Sequence, residues 1–198
     1  MAIYLLKMPT TVSKTSKPSR YIILDTNIFE HLDNIELNPQ ITSLLKDSIS
    51  KGYGISMSQY SILELLDTAS VENELKAMNT ITGLRQFKVN QSVLIAAGHL
   101  GCLYKEDGLD NNKQPERGDK VIAATSLINN TIVFTTNGRD FPIPFFREIS
   151  RPVLKYHKAD GREIYIVSYF LEPDIDIIQN KYNSRIGLKN EVEKEIEK

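Results

Sequence analysis

Tyr21-Ile22-Ile23-Leu24-Asp25-Thr26-Asn27 is the stretch that decides the fold. Four apolar residues in a row suit a strand buried on both faces, and they end abruptly in an acid and two small polar residues. A helix to about Leu32 is expected next. A second unit of this kind closes the pattern. Gly118-Asp119 opens an expected helix over Lys120 to Asn129, stopped by Asn129-Asn130. Thr131 to Thr135 then reads as a buried β-branched strand, ending in Thr136-Asn137-Gly138 and Asp140-Phe141-Pro142. Between the two units, Asn38-Pro39 starts a helix with Ile41, Leu44, Leu45 and Ile49 on one face. A short strand is expected over Tyr53 to Ser56. Ser58 caps a helix that buries Ile62, Leu65, Leu66 and Ala69, and residues 71–85 and 91–105 also read as helical. This β/α alternation predicts a mostly parallel sheet covered by helices.

Beyond this core the composition changes. Residues 9–20 are rich in Ser, Thr, Lys and Pro and read as a flexible lead. Val153 to His157 and Glu163 to Leu171 read as two strands about a tight turn at Ala159-Asp160-Gly161, followed by a helix over Asp174 to Tyr182 and a charged tail.

The chain of 198 residues has 24 Lys and Arg against 25 Asp and Glu, a net charge of −1. That excludes a strongly polycationic nucleic-acid binder. The charge is uneven, however. Residues 1–20 sum to +4, residues 21–146 to −5 (10 cations, 15 anions), residues 147–170 to +2 and residues 171–198 to −2. A single cysteine, Cys102, excludes an intramolecular disulfide and a Cys-rich zinc site, and reads as a core residue. No apolar run approaches the ~20 residues of a membrane span. Ile3 to Leu6 lacks the length of a secretory signal. A cytoplasmic setting is expected.

The acids fall at element ends. Asp25 ends the first strand, Asp119 starts a helix, Asp140 follows the last core strand, and Glu64 lies in the helix after the second strand. In open α/β sheets, ligands bind beyond the carboxyl ends of the strands. Four carboxylates meeting there would repel unless a divalent cation offset their charge, and hard oxygen donors select Mg²⁺ or Mn²⁺. Each acid alone has a plainer reading. Asp25-Thr26-Asn27 serves as a turn and N-cap, Glu64 as a solvated helix residue, Asp119 as a partner of the helix dipole and Asp140 as a turn residue.

Taken together, four ordered blocks resemble the PIN-domain ribonucleases, of the kind found in VapC-type toxins of toxin–antitoxin pairs. They are Tyr21 to Asn27, Ser61-Ile62-Leu63-Glu64-Leu65, Gly118-Asp119-Lys120-Val121-Ile122-Ala123-Ala124-Thr125-Ser126-Leu127, and Ile132 to Phe141. The likeness spans 21–146. It implies an α/β/α sandwich, one or two Mg²⁺ or Mn²⁺ ions and endonucleolytic cleavage of RNA. It puts Asp25, Glu64, Asp119 and Asp140 at the catalytic and metal positions, with Asn27, Thr136 and Asn137 as hydrogen-bonding supports. A cognate antitoxin and a homodimer are implied as partners, and no membrane. Two other functions remain open on the sequence: a silent PIN-like module that binds RNA or protein, and a nuclease for single-stranded or flap DNA.

Three pieces are therefore expected: a basic lead over 1–20, a PIN-like domain over 21–146, and a hairpin–helix extension over 147–198 that VapC-type toxins usually lack. Lys120 and Arg139, beside two of the acids, are candidate phosphate contacts. Arg151 and Lys155 belong to a basic run (Arg147, Arg151, Lys155, Lys158, Arg162) interleaved with Tyr156, Tyr165 and Tyr169. That run reads either as a solvated strand face or as a flap that contacts RNA or a partner. His31, His99 and His157 have no zinc-ligand spacing and read as surface or packing residues. Gly52 and Gly54 lack the pattern of a phosphate loop.

Overall fold

The first strand, β1 (Arg20–Leu24), lies inside a six-stranded sheet, and its register shows why its sequence is apolar throughout. It pairs in parallel with β2 (Tyr53–Ser58) on one side and with β4 (Ile132–Thr135) on the other. Ile22 and Leu24 face one layer of helices, and Ile23 faces the other. All three are at most 1% exposed, and each such side chain contributes about 1.5–3 kcal/mol by burial. The strand order is β3-β2-β1-β4-β8-β5. Here β3 is Arg85–Phe87, β5 is Phe146–Ser150 and β8 is Tyr169–Pro173. The computed structural model describes residues 18–67, 74, 78–79, 81–109 and 114–196.

The helices fall on both faces, so the chain is a mixed α/β fold with a mostly parallel central sheet. On one face α1 (Thr26–Leu32) and α2 (Leu37–Ser50) pack with Ile22, Leu24, Ile132 and Phe134. On the other, α4 (Gln91–Glu106) and α5 (Arg117–Asn129) pack with Ile23 and Val133. The helix after β2, α3 (Gln59–Asp67), gives Tyr60 to the second cluster and Ile62 and Leu65 to the first. Asn130, expected to stop α5, does so in the left-handed region at φ 47, which Asn tolerates better than most residues. Ser58 Oγ accepts from Tyr60 N at 3.2 Å, as a cap of α3 should.

The described structure departs from the expectations in four places. Residues 71–85 were expected to be helical. Residues 74, 78–79 and 81–83 are, Leu84 is a bend, Arg85 begins the edge strand β3, and residues 71–73, 75–77 and 80 lie outside the described residues. The expected strand over Glu163 to Leu171 is two strands, β7 (Glu163–Val167) and β8, divided at Ser168. β6 (Val153–His157) and β7 form a separate antiparallel hairpin. β8 instead enters the main sheet antiparallel to β4, with Thr135 opposite Tyr169. The stretch 147–198, expected as an extension, thus supplies a strand between β4 and β5, as well as the final helix α6 (Ile175–Ile196). Finally, Cys102 is only partly buried. Among the described residues, no helix is long and apolar enough to cross a membrane.

Candidate metal centre

Because β1 and β4 are parallel neighbours, their carboxyl ends deliver Asp25 and Thr135 to the same edge. Asp25 is 3% exposed and caps α1. Its Oδ1 accepts from Thr26 N at 2.8 Å. Its Oδ2 accepts from Thr135 Oγ1 and from Asn27 Nδ2, both at 2.6 Å. Asn27 also donates to Thr135 Oγ1 at 3.1 Å, while its Oδ1 accepts from Thr136 N at 3.1 Å. Asn27 is therefore a clip between the start of α1 and the end of β4. Thr136 contributes its backbone to that clip, and its hydroxyl lies 3.2 Å from His31 Nε2. Asn137 contributes its backbone N–H, which donates to Thr135 Oγ1 at 2.9 Å.

Glu64 reaches the same edge from α3, and its Oε2 accepts from the Thr26 hydroxyl. It lies hard against the first turn of α5: a Cβ on Gly118 would stand 2.5 Å from Glu64 Oε1. Asp119, the next residue, turns its Oδ2 onto Glu116 N at 2.9 Å. Asp140 sits on a short 3-10 turn, Gly138–Asp140, directly after β4.

Electrostatics ties the four acids together. Burial raises the Asp119 carboxyl to about 6, with help from the charges of Asp25, Glu64 and Glu116 and against the Glu116 N–H bond. Burial raises Asp140 to about 7, helped by Asp119, Asp25 and Glu116 and opposed by Arg139. Asp25 is raised by burial against three hydrogen bonds that favour its charged form. Glu64 is raised by burial and by Asp25, Glu116 and Glu30, with the Thr26 hydroxyl acting against them. Half-buried acids that raise one another are in the condition a divalent cation relieves.

The donor set is all oxygen, which fits Mg²⁺ or Mn²⁺ rather than a soft metal. As the side chains stand, however, no three His, Cys, Asp or Glu residues among those described are close enough to share an ion. Asp119 and Glu64 are each turned onto a local donor.

Sequence reasoning missed the two hydroxyls that grip the carboxylates, because Thr26 reads as part of a turn and N-cap and Thr135 as a β-branched strand residue. It also missed Glu116. Its place three residues before Asp119, at the N-cap of α5, was a readable signal.

The candidate cations divide. Arg139 is exposed beside Asp140 and acts on its charge. Lys120 lies along α4, where a Cβ on Gly101 would be 3.7 Å from its Nζ. Arg151 stands over the Tyr169 ring, 5.2 Å from its centroid, and pairs with Glu148 at 2.7 Å. Lys155 is turned onto its own hairpin, with Nζ 2.9 Å from Glu163. Arg147 and Arg162 are likewise paired, with Glu172 and Asp160. Much of the basic run is thus neutralised within its own stretch of chain.

No family model matches the chain, and no curated protein sequence does. Among solved structures, the chain is similar to one described as VapBC2 from Rickettsia felis bound to a DNA fragment from their promoter. The TM-score is 0.51 and the identity 20%, covering 61% of this chain and 90% of that one. At that identity the likeness establishes a related fold.

Proposed function

We propose that the chain is a PIN-like, Mg²⁺- or Mn²⁺-dependent endoribonuclease acting as the toxin of a toxin–antitoxin pair. What supports this reading is that Asp25, Glu64, Asp119 and Asp140 lie toward one sheet edge, where burial and neighbouring acids raise Asp119 to about 6 and Asp140 to about 7. These four carboxylates would hold the ion, with Asp25 fixed by Thr135 and Asn27. When bound, the ion supplies a polarised water and a clamp on the phosphodiester. Asp25 supplies a rigid oxygen, Asn27 keeps the ends of β1 and β4 in register, and Thr26 orients Glu64. Arg139, exposed beside Asp140, would attract the substrate phosphate. The fold likeness to VapBC2 supports the toxin–antitoxin setting, with a protein antitoxin as partner.

Purified protein should cleave RNA only when Mn²⁺ or Mg²⁺ is added, and Asp25→Asn should lose that cleavage. Undiminished cleavage by Asp25→Asn would remove Asp25 from the centre. A second reading is a silent PIN-like module that binds RNA or protein. The local donors already occupied by Glu64 and Asp119 favour it. Calorimetric Mn²⁺ titration separates the two, because a silent module takes up no ion at these acids. Cleavage of single-stranded or flap DNA in place of RNA would keep the metal centre and change the substrate.

A further inference from the structure

The turn that carries Asp140 leans on a residue far along the chain. A Cβ on Gly138 would lie 3.1–3.2 Å from three atoms of the Tyr169 ring (Cε2, Cδ2 and Cζ), so the glycine backbone is seated against that ring. Tyr169 is the first residue of β8 and lies opposite Thr135, the last residue of β4. The sheet thus brings Tyr169 to the edge where Asp25 and Asp140 stand. A second contact fixes the ring. The Arg151 guanidinium lies 5.2 Å from its centroid and is itself held by Glu148, Nη2 to Oε2 at 2.7 Å. The turn's own backbone bonds are long, 3.2 Å from Asp140 N to Asn137 O and 3.3 Å from Phe141 N to Gly138 O. Such bonds sit at the weak end of hydrogen-bond geometry and leave the turn dependent on packing.

We propose that Tyr169, held by Arg151 and Glu148, is a positioning residue that sets where the Gly138–Asp140 turn presents the Asp140 carboxylate. The added strand β8 thereby takes part in building the site. The functional consequence rests on the metal-centre reading above; the packing relation does not.

Two measurements on the full chain test it. The first is Mn²⁺ affinity by calorimetric titration. Tyr169→Ala is expected to weaken it about tenfold, the low end for a residue supporting a ligand, while Tyr169→Phe restores it. In an Asp140→Asn background, Tyr169→Ala should cost no further affinity, because its effect passes through that carboxylate. Equal affinity in Tyr169→Ala and wild type, or the same tenfold loss with and without Asp140, would overturn the proposal. The second is amide hydrogen exchange of the metal-free protein. Asp140 and Phe141 should exchange faster in Tyr169→Ala than in Tyr169→Phe, with α2 amides unchanged. Unchanged exchange at the turn also overturns it. If wild type takes up no Mn²⁺, the metal-centre reading fails and the exchange result alone decides this one. Should Tyr169→Ala not fold, Arg151→Ala on the surface replaces it, with an expected loss of about two- to fivefold, the scale of an exposed cation–π contact.

Discussion

Asp119 and Asp140 hold protons at pH values where an ordinary carboxyl has lost them. With folded values of about 6 and about 7, they bind more protons in the native state than in the unfolded chain, where about 3.9 applies. Stability therefore falls as pH rises through the window from about 4 to about 7. Metal-free protein should melt at a higher temperature near pH 5.5 than near pH 7.5. Asp140→Asn should raise the melting temperature at the higher pH and flatten the difference, and differential scanning calorimetry across that range checks both. A rise in stability with pH would mean the acids are not in this condition. Tyr104 is a second instructive residue. It is 0% exposed, its ring meets Phe145 edge-on at 4.9 Å, and its hydroxyl has no hydrogen-bond partner among the described residues. A buried unpaired hydroxyl costs about 1–3 kcal/mol, so Tyr104→Phe should leave the urea midpoint unchanged or raise it. At this scale the sequence made the acids and Asn27 legible because they punctuate apolar runs. The hydroxyls of Thr26 and Thr135 were hidden, since their role depends on which strand lies alongside, and spacing does not encode that.

Elements bring the acids to one edge, and two of those elements approach closely there. α3 meets α5 at Gly118, where a Cβ would stand 2.5 Å from both Glu64 Oε1 and Tyr60 Cε1. Gly118→Ala should push Glu64 off its bond with Thr26 and cost about 1–3 kcal/mol by overcrowding. Chemical denaturation gives the stability loss, and Mn²⁺ titration should show weaker binding in the same variant. An Ala variant with unchanged stability and binding would show that α3 yields easily. The elements easiest to read were the strands with continuous apolar runs, β1 and β4, and the helices α2 and α5 with a regular apolar face. β3 was missed because it is a three-residue edge strand, Arg85–Phe87, with its first residue exposed and no apolar run. β8 was hidden in a continuous, largely apolar stretch with β7, Glu163 to Leu171. The break is Ser168, fully buried, whose N–H and hydroxyl both donate to Pro152 O at 2.8 and 3.0 Å. A single small Ser inside an apolar run does not read as a break between strands. Here it anchors the point where the chain leaves the hairpin for the main sheet.

For the molecule as a whole, that crossing decides where the folding unit ends. Without β8, the outer edge of β4 would carry unpaired backbone groups, a template for aggregation. The apolar contacts across this boundary are large. Phe170 stacks on Phe134 at 4.3 Å, and Leu171 and Ile178 belong to the same buried cluster as Val133 and Phe146. Charge crosses it as well, since Glu172 accepts from Arg20 Nη1 at 2.6 Å. The resemblance spans 21–146 and suggested that this stretch could stand apart. The register of β8 requires the later residues instead. A chain ending at residue 146 is therefore expected to be insoluble or to lack a cooperative melting transition. In the full chain, Phe170→Ala should cost about 3–5 kcal/mol, as loss of a buried aromatic does. Limited proteolysis gives an independent reading. If residues 147–198 formed only an appendage, brief protease treatment would leave a stable fragment ending near Phe146. If β8 is integral, cleavage should fall in the β6–β7 turn around Asp160, and both halves should stay together until denaturant is added.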